Sequence, residues 1–183
     1  MYNVQAELIA IQIDDEVKNR ILDFLKTYDF PYVKSIKNKP ALREIFVEHF
    51  ENRHNLKWLK NEINAVARRE DLSPADLETI ALSETNRLHT QGLGSLLLSK
   101  GIKKCTTENS YGTRAMCESC WKNLEGEPRV INDITVKSKP KILDIEQVIK
   151  NSFPTCYGDL MRTDVPMIPQ CPNCFHTMAP LEE

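Results

Sequence analysis

Between Asp14 and Gly101 the apolar residues return at helical spacing, and beyond Gly101 they cease to do so. That change limits the chain to a helical first part joined to something held together by other means. Val17, Ile21, Phe24, Leu25 and Tyr28 fall at i, i+4, i+7, i+8 and i+11, on one side of a helix that opens at Asp14 and Asp15. Acidic residues there suit the positive end of the helix dipole. The stretch DFPYVKSIKNKPA, residues 29–41, interrupts the pattern with a basic connection bracketed by prolines. Leu42, Ile45, Phe46 and Phe50 then form a second stripe, and Leu56, Leu59, Ile63, Val66 and Ala67 a third. Three amphipathic helices with short connections predict a helical bundle.

The most explicit helix start is LSPADLETIALSE. Ser73 is a good N-cap, Pro74 suits the first helical position, and Asp76 stands where a capping-box acid would. Leu72 and Leu77 have the spacing of a hydrophobic staple. The helix is predicted to run to Lys100 and stop at Gly101. Its interior glycines, Gly92 and Gly94, cost about 1 kcal/mol each relative to alanine and imply close packing or a kink. At about 100° per residue from Leu77, the residues Ile80, Ala81 and Leu88 share one side of this helix, and Glu84 falls among them. A carboxylate directed into a bundle costs several kcal/mol unless it is paired, so a partner is expected. Arg114 is the candidate, and the pair Glu84–Arg114 would tie the helical part to the C-terminal region.

Past Gly101 the first cysteine appears at Cys105, and prolines gather at 154, 166, 169, 172 and 180. The β-branched segment PRVINDITV, 128–136, predicts strand, and LDIEQVIKNSF, 143–153, a short helix. KSKPK, 137–141, reads as an exposed, solvated loop in preference to a phosphate contact.

The six cysteines make the second part intelligible. MCESC, 116–120, and QCPNC, 170–174, are CxxC pairs separated by the 50 residues 121–170. The N-terminus lacks both a basic n-region and a small-residue cleavage site, so a reducing cytoplasm is expected, where paired CxxC spacing means metal more often than disulfide. Structural zinc takes four N or S ligands in a tetrahedron, and each CxxC turn delivers two thiolates. The interval exceeds the roughly 15–20 residues of compact zinc modules, so the metal would clamp the ends of a long segment poor in apolar periodicity. Cys117, Cys120, Cys171 and Cys174 form one ligand set. His176 is a fifth candidate, and with it the set becomes Cys117, Cys120, Cys174 and His176. The competing structural account is four buried thiols or a redox pair; Cys105 and Cys156 read as such buried thiols.

The expected fold class is therefore α+β: an N-terminal helical bundle over residues 1–100 and a small, loop-rich, zinc-stapled α+β region over 101–183. Residues 73–100 are alternatively continuous with the latter. No run approaches the roughly 18–20 apolar residues of a membrane helix. A formal net charge of −2 gives no global attraction to nucleic acid, so DNA binding would need a local basic face. HExxH, an HxE paired with PCxxC, P-loop, GxGxxG and nucleophile-elbow patterns do not occur, and no enzyme activity is expected.

The order of these features resembles the phage Mu F-like head morphogenesis family of minor capsid proteins. IALSETNR, 80–87, is similar to an IARTE-like motif with Glu84 at its glutamate, and GIKKC, 101–105, to a glycine-and-lysine stretch. TRAMCESCWKNLEG, 113–126, resembles a cysteine pair followed by a glycine-containing turn, and QCPNCFH, 170–176, a terminal HPxCRC-like motif. The match covers about residues 73–180. Leu82 replaces the first motif's arginine, Cys105 stands where an aromatic is common, and Cys171 and His176 exchange residue types in the last motif. The resemblance implies a low-copy structural protein of a phage or prophage head, located in the virion and in the host cytoplasm during assembly. Its implied partners are the portal and other capsid or scaffolding proteins, with packaged DNA as a further contact.

Two other classes compete. A zinc-ribbon nucleic-acid-binding regulator needs basic and aromatic residues around its knuckles; Arg114, Trp121 and Lys122 flank the first, while the second is nearly uncharged. A metal hydrolase needs an open coordination position, which a saturated cysteine-rich zinc lacks.

Overall fold

The computed structural model describes residues 14–67, 72–109, 129–131, 134–136, 141–153 and 176–181. Among the described residues the first elements are four helices, α1 (Asp15–Leu25), α2 (Lys39–Glu51), α3 (Leu56–Ala67) and α4 (Pro74–Ser99). Then follow β1 (Lys104–Asn109), β2 (Arg129–Ile131), β3 (Ile134–Val136), β4 (Leu143–Asp144), α5 (Ile145–Ser152) and β5 (His176–Pro180). The fold is α+β, dominated by helix, with a small three-stranded sheet. No described helix is long and apolar enough to cross a membrane. The chain divides into two compact units, Met1–Gly92 and Leu93–Glu183, so the division falls inside α4.

In the first unit each helix begins on a side chain that satisfies an orphan backbone N–H. Asp14 accepts from Glu16 N at 2.7 Å, Asn38 from Ala41 N at 3.2 Å, and Asn55 from Trp58 N at 2.9 Å. Ser73 and Asp76 form the expected reciprocal box at the head of α4, with Asp76 N donating to Ser73 Oγ and Ser73 N to Asp76 Oδ2, both at 3.2 Å. The apolar stripes meet as predicted: Ile21, Leu25, Leu42, Phe46, Leu59, Ile63, Ala81 and Leu88 are all fully buried.

One feature of this core has no periodic signature. Phe30 has φ +48°, a left-handed conformation that costs an L-residue about 1–2 kcal/mol, and its ring is fully buried. The ring packs at a tilt, its centre 4.7 Å from that of Tyr28 and 5.0 Å from that of Phe46, so burial of a large aromatic offsets the strain and anchors the α1–α2 connection.

The second unit is built on β1, the middle strand of a sheet ordered β4-β1-β5. Both pairings are antiparallel, Cys105 facing Leu143 on one side and Pro180 on the other. Leu97, Cys105, Leu143, Ile145, Val148 and Met178 form its core, with Leu93, Leu98 and Ile102 packed against them. The last turns of α4 therefore belong to this unit. Asp144 ends β4 and caps α5, accepting from Gln147 N at 3.0 Å. PRVINDITV, expected as strand, forms two short antiparallel strands, β2 and β3; of LDIEQVIKNSF, expected as helix, Leu143 and Asp144 pair as β4 and the helix α5 begins at Ile145. The strands β1 and β5 were not among the sequence expectations.

α4 stops as a Schellman turn: Gly101 N donates to Leu98 O and Ile102 N to Leu97 O, both at 3.0 Å, with Gly101 at φ +83°. The glycines of its interior are close-packing positions. A Cβ on Gly92 would lie 2.5 Å from Ile21 Cγ1 and 2.9 Å from the Val17 carbonyl oxygen, whereas one on Gly94 would meet side chains and no backbone, Ile149 Cδ1 at 2.5 Å and Cγ1 at 2.9 Å and Met178 Cε at 3.1 Å.

These contacts order three alanine substitutions. Overpacking costs about 1–3 kcal/mol and the gain in helix propensity returns about 1. Gly92→Ala, which meets backbone, is expected to lose about 1–2 kcal/mol in urea unfolding. Gly94→Ala is expected to stay within about 1 kcal/mol of the parent, because Ile149 and Met178 can rotate away. Gly101→Ala loses about 1 kcal/mol through backbone strain alone. Equal losses for Gly92 and Gly94 would contradict the packing account.

Candidate metal centre and buried carboxylate

Glu84 is 2% exposed, in the middle of the α4 face that carries Leu77, Ala81 and Leu88. Its Oε2 accepts a 2.7 Å hydrogen bond from the Tyr28 hydroxyl, and its Oε1 accepts from Arg87 Nη1 one turn further along the same helix. Arg87 is 5% exposed, and its guanidinium carbon sits 4.5 Å from the centre of the Tyr32 ring. The carboxylate thus has both oxygens engaged, and the arginine is flanked by a carboxylate and an aromatic face. Burial and the neighbouring Glu84 raise the Tyr28 phenol far above its ordinary range, which keeps it a donor.

The expected burial of Glu84 is thereby matched by partners from two places that the helical wheel does not connect. Tyr28 follows the end of α1, and Arg87 lies at i+3 on α4. Arg114 lies outside the described residues. The chemistry of the carboxylate is attachment: it fixes the α1–α2 connection, through Tyr28 and Tyr32, to α4.

His49 is the other buried ionisable group of this unit. It is 2% exposed, its ring lies 4.9 Å from Phe50, and its Nδ1 has no hydrogen-bond partner among the described residues. Desolvation, with His54 nearby, pushes its imidazole down to about 4 from an ordinary 6.5. Desolvation also pushes His89, on α4, down to about 4.

Of the five metal-ligand candidates, Cys117, Cys120, Cys171 and Cys174 lie outside the described residues, as does Cys156. His176 opens β5, where its backbone is paired with Asn109 at the far end of β1. Among the described residues no group of three His, Cys, Asp or Glu side chains is arranged to hold a metal ion. Cys105 is the buried thiol that its isolation implied, fully covered and pushed up to about 11 by burial and by Asp144, which makes it a poor nucleophile.

Removing one partner from the Glu84 cluster should cost more than removing both. Glu84→Ala removes the carboxylate from beside a buried arginine, for an expected loss of about 3–5 kcal/mol in denaturant unfolding. Glu84→Leu with Arg87→Met should lose clearly less, a non-additivity that a double-mutant cycle reads directly. The histidines set an acid limit. The native state holds both imidazoles neutral while the unfolded chain protonates near 6.5, so stability present above about pH 6.5 is lost progressively as pH falls towards 4. For His49 alone the loss is on the order of 3 kcal/mol. Urea midpoints measured from pH 7 to pH 4 should fall steeply in the parent and less steeply in His49→Phe.

Comparison of the chain with protein-family models, with characterised proteins and with solved structures finds no match.

Proposed function

We propose that the chain is a structural protein of a phage or prophage head, acting in head assembly beside the portal, with one zinc ion stapling its second unit. The β1–β5 ladder carries the zinc part of this reading. It runs antiparallel from Cys105 opposite Pro180 to Asn109 opposite His176, so the chain leaves the sheet and returns to it at one end. Cys174 precedes His176 by two positions and Cys117 follows Asn109 by eight. Paired positions on a ladder are about 5 Å apart, and eight residues span at most about 28 Å. Tethers of that length are compatible with the two CxxC pairs sharing one ion, which supports the staple. Four thiolates suit a closed, tetrahedral zinc whose work is to hold the 110–175 segment, and the ion leaves no position for a substrate.

The head-assembly part rests on the order of the motifs and on the constrained roles of their described residues. Glu84 of IALSETNR is the buried carboxylate with both oxygens engaged. In GIKKC, Gly101 has the positive φ that ends α4, and Cys105 is a fully buried core residue of β1. His176 of QCPNCFH opens β5. Glu84, Gly101 and Cys105 thus each have a packing or backbone reason for their residue type.

Purified protein is expected to carry one zinc per chain by elemental analysis. Serine at Cys117, Cys120 or Cys174 should abolish it; His176→Ala and Cys171→Ser, compared side by side, identify the fourth ligand. Zinc-free protein at full occupancy of the native fold would overturn the staple. Mass spectrometry of purified heads should find the chain at low copy beside the portal, and its absence from heads would overturn the assembly role.

A further inference from the structure

We propose that the turn between α2 and α3 is an acid-opened latch, in which a proton taken up by the buried His49 releases the turn while the rest of the helical unit stays folded. α2 ends at Glu51, where Asn52 N donates to Glu48 O and His54 N to His49 O, both at 3.0 Å. The second bond is the long closure of a Schellman turn, and it places His49 and His54 where that motif ordinarily sets two apolar side chains together. Between them Arg53 takes the left-handed conformation, at φ +53°, that such a turn requires and that glycine adopts without strain. The latch is therefore closed over a strained residue and a pair of titratable rings.

A proton on His49 would find no counter-charge. The ring is buried, with its centre 6.4 Å from that of Phe46 and 4.9 Å from that of Phe50, and Nδ1 has no hydrogen-bond partner among the described residues. An imidazolium in that position is a buried, uncompensated charge. The acids of the surrounding elements are engaged elsewhere. Glu48 faces His54 at 3.8 Å, Asp15 of α1 holds Arg53 at 3.0 Å and Lys18 at 2.9 Å, and Glu84 of α4 is closed on Tyr28 and Arg87. α3 sets the Trp58 ring against His54, 4.0 Å between centres, where an acid could have stood. The charged group that acts on the His49 ring is His54, and as a second cation it opposes the proton.

Opening the turn removes the conflict. His49 then reaches water and regains its ordinary 6.5, against about 4 in the closed turn. The closed turn binds fewer protons than the open one, so opening becomes easier as pH falls, by about tenfold per pH unit between 6.5 and 4. It also breaks two backbone bonds, frees Arg53 from its strained conformation and separates His54 from Trp58, while Leu42 and Ile63, further along the two helices, stay packed. Unfolding of the whole unit is a different event, because it exposes His89 as well and takes up a second proton. The latch goes beyond the head-assembly reading and does not depend on it.

Amide hydrogen exchange of the full-length protein, followed by NMR between pH 7 and pH 5 under conditions where exchange reports the opening equilibrium, is the test. Protection at the Asn52 and His54 amides should fall about twentyfold over that range, the factor for one proton, and should stay at least about tenfold below that of Leu88 within α4 at each pH. His49→Phe should hold the protection of both amides constant within about twofold, as should His49→Gln, which serves if the larger ring fails to fold. Arg53→Gly should raise their protection about fivefold at every pH and leave the pH slope unchanged, since it relieves the strain without touching the histidine. Equal protection at His54 and Leu88 throughout, a twentyfold fall that persists in the His49 variants, or loss of the slope in Arg53→Gly would overturn the latch.

Discussion

A carboxylate at 2% exposure sets the terms for the first unit. Water no longer solvates Glu84, so the protein must supply what water did, and it does so from two directions: a phenol beyond the end of α1 and a guanidinium one turn along α4. The apolar stripes that bring the helices together are non-directional and tolerate sliding. The Glu84 cluster is not, because moving α4 by one residue would rotate the carboxylate away from Tyr28. Hydrophobic burial supplies most of the driving force, and this polar cluster restricts it to one register. The strained backbone at Phe30 belongs to the same arrangement, since it lies two residues from Tyr28 and buries its ring against it.

The second unit answers a different difficulty. Its apolar content is modest, and its core gathers residues from α4, β1, β4, α5 and β5. What makes this possible is a central strand whose neighbours both come from far along the chain. β1 does not fold with its sequence neighbours; its two edges are covered by residues 143–144 and 176–180. A metal bound between CxxC pairs on the intervening segment would shorten the loop that this ladder has to close, and so would act on the entropy of the unfolded chain as well as on the native contacts.

α1, α2 and α3 were legible from their apolar stripes, and α1 and α4 also from the residues at their ends: acids at the start of α1, a capping box and a glycine stop for α4. Ser73, Asp76 and Gly101 behave as their chemistry dictates. β1 and β5 carried no such signal. The inward positions of β1 include Cys105 and Thr107, buried on either side of a partly covered Thr106, so the alternation is real in space and nearly invisible in polarity. β5 is HTMAP, with Met178 its core residue and a proline at its end. Both are strands because of their partners and not because of their composition. At the carboxylate, burial was legible from the wheel, while the partners were not: Tyr28 counts towards the stripe of α1 by its ring, and nothing periodic records where its hydroxyl ends up. The cysteines remain readable by spacing alone.

The register of β1 against β5 also has a temporal side. Asn109 is paired with a residue 67 positions later, at 176. During synthesis the helical unit is complete once residue 92 has been made, and it can fold on local contacts. β1, in contrast, is exposed on the ribosome with one edge open until the chain has been extended past Pro180. For that interval KCTTEN is a bare strand edge in a crowded cell, with Lys100, Lys103 and its own Lys104 clustered at its N-terminal end. That local charge would then help keep unfinished chains from pairing with one another.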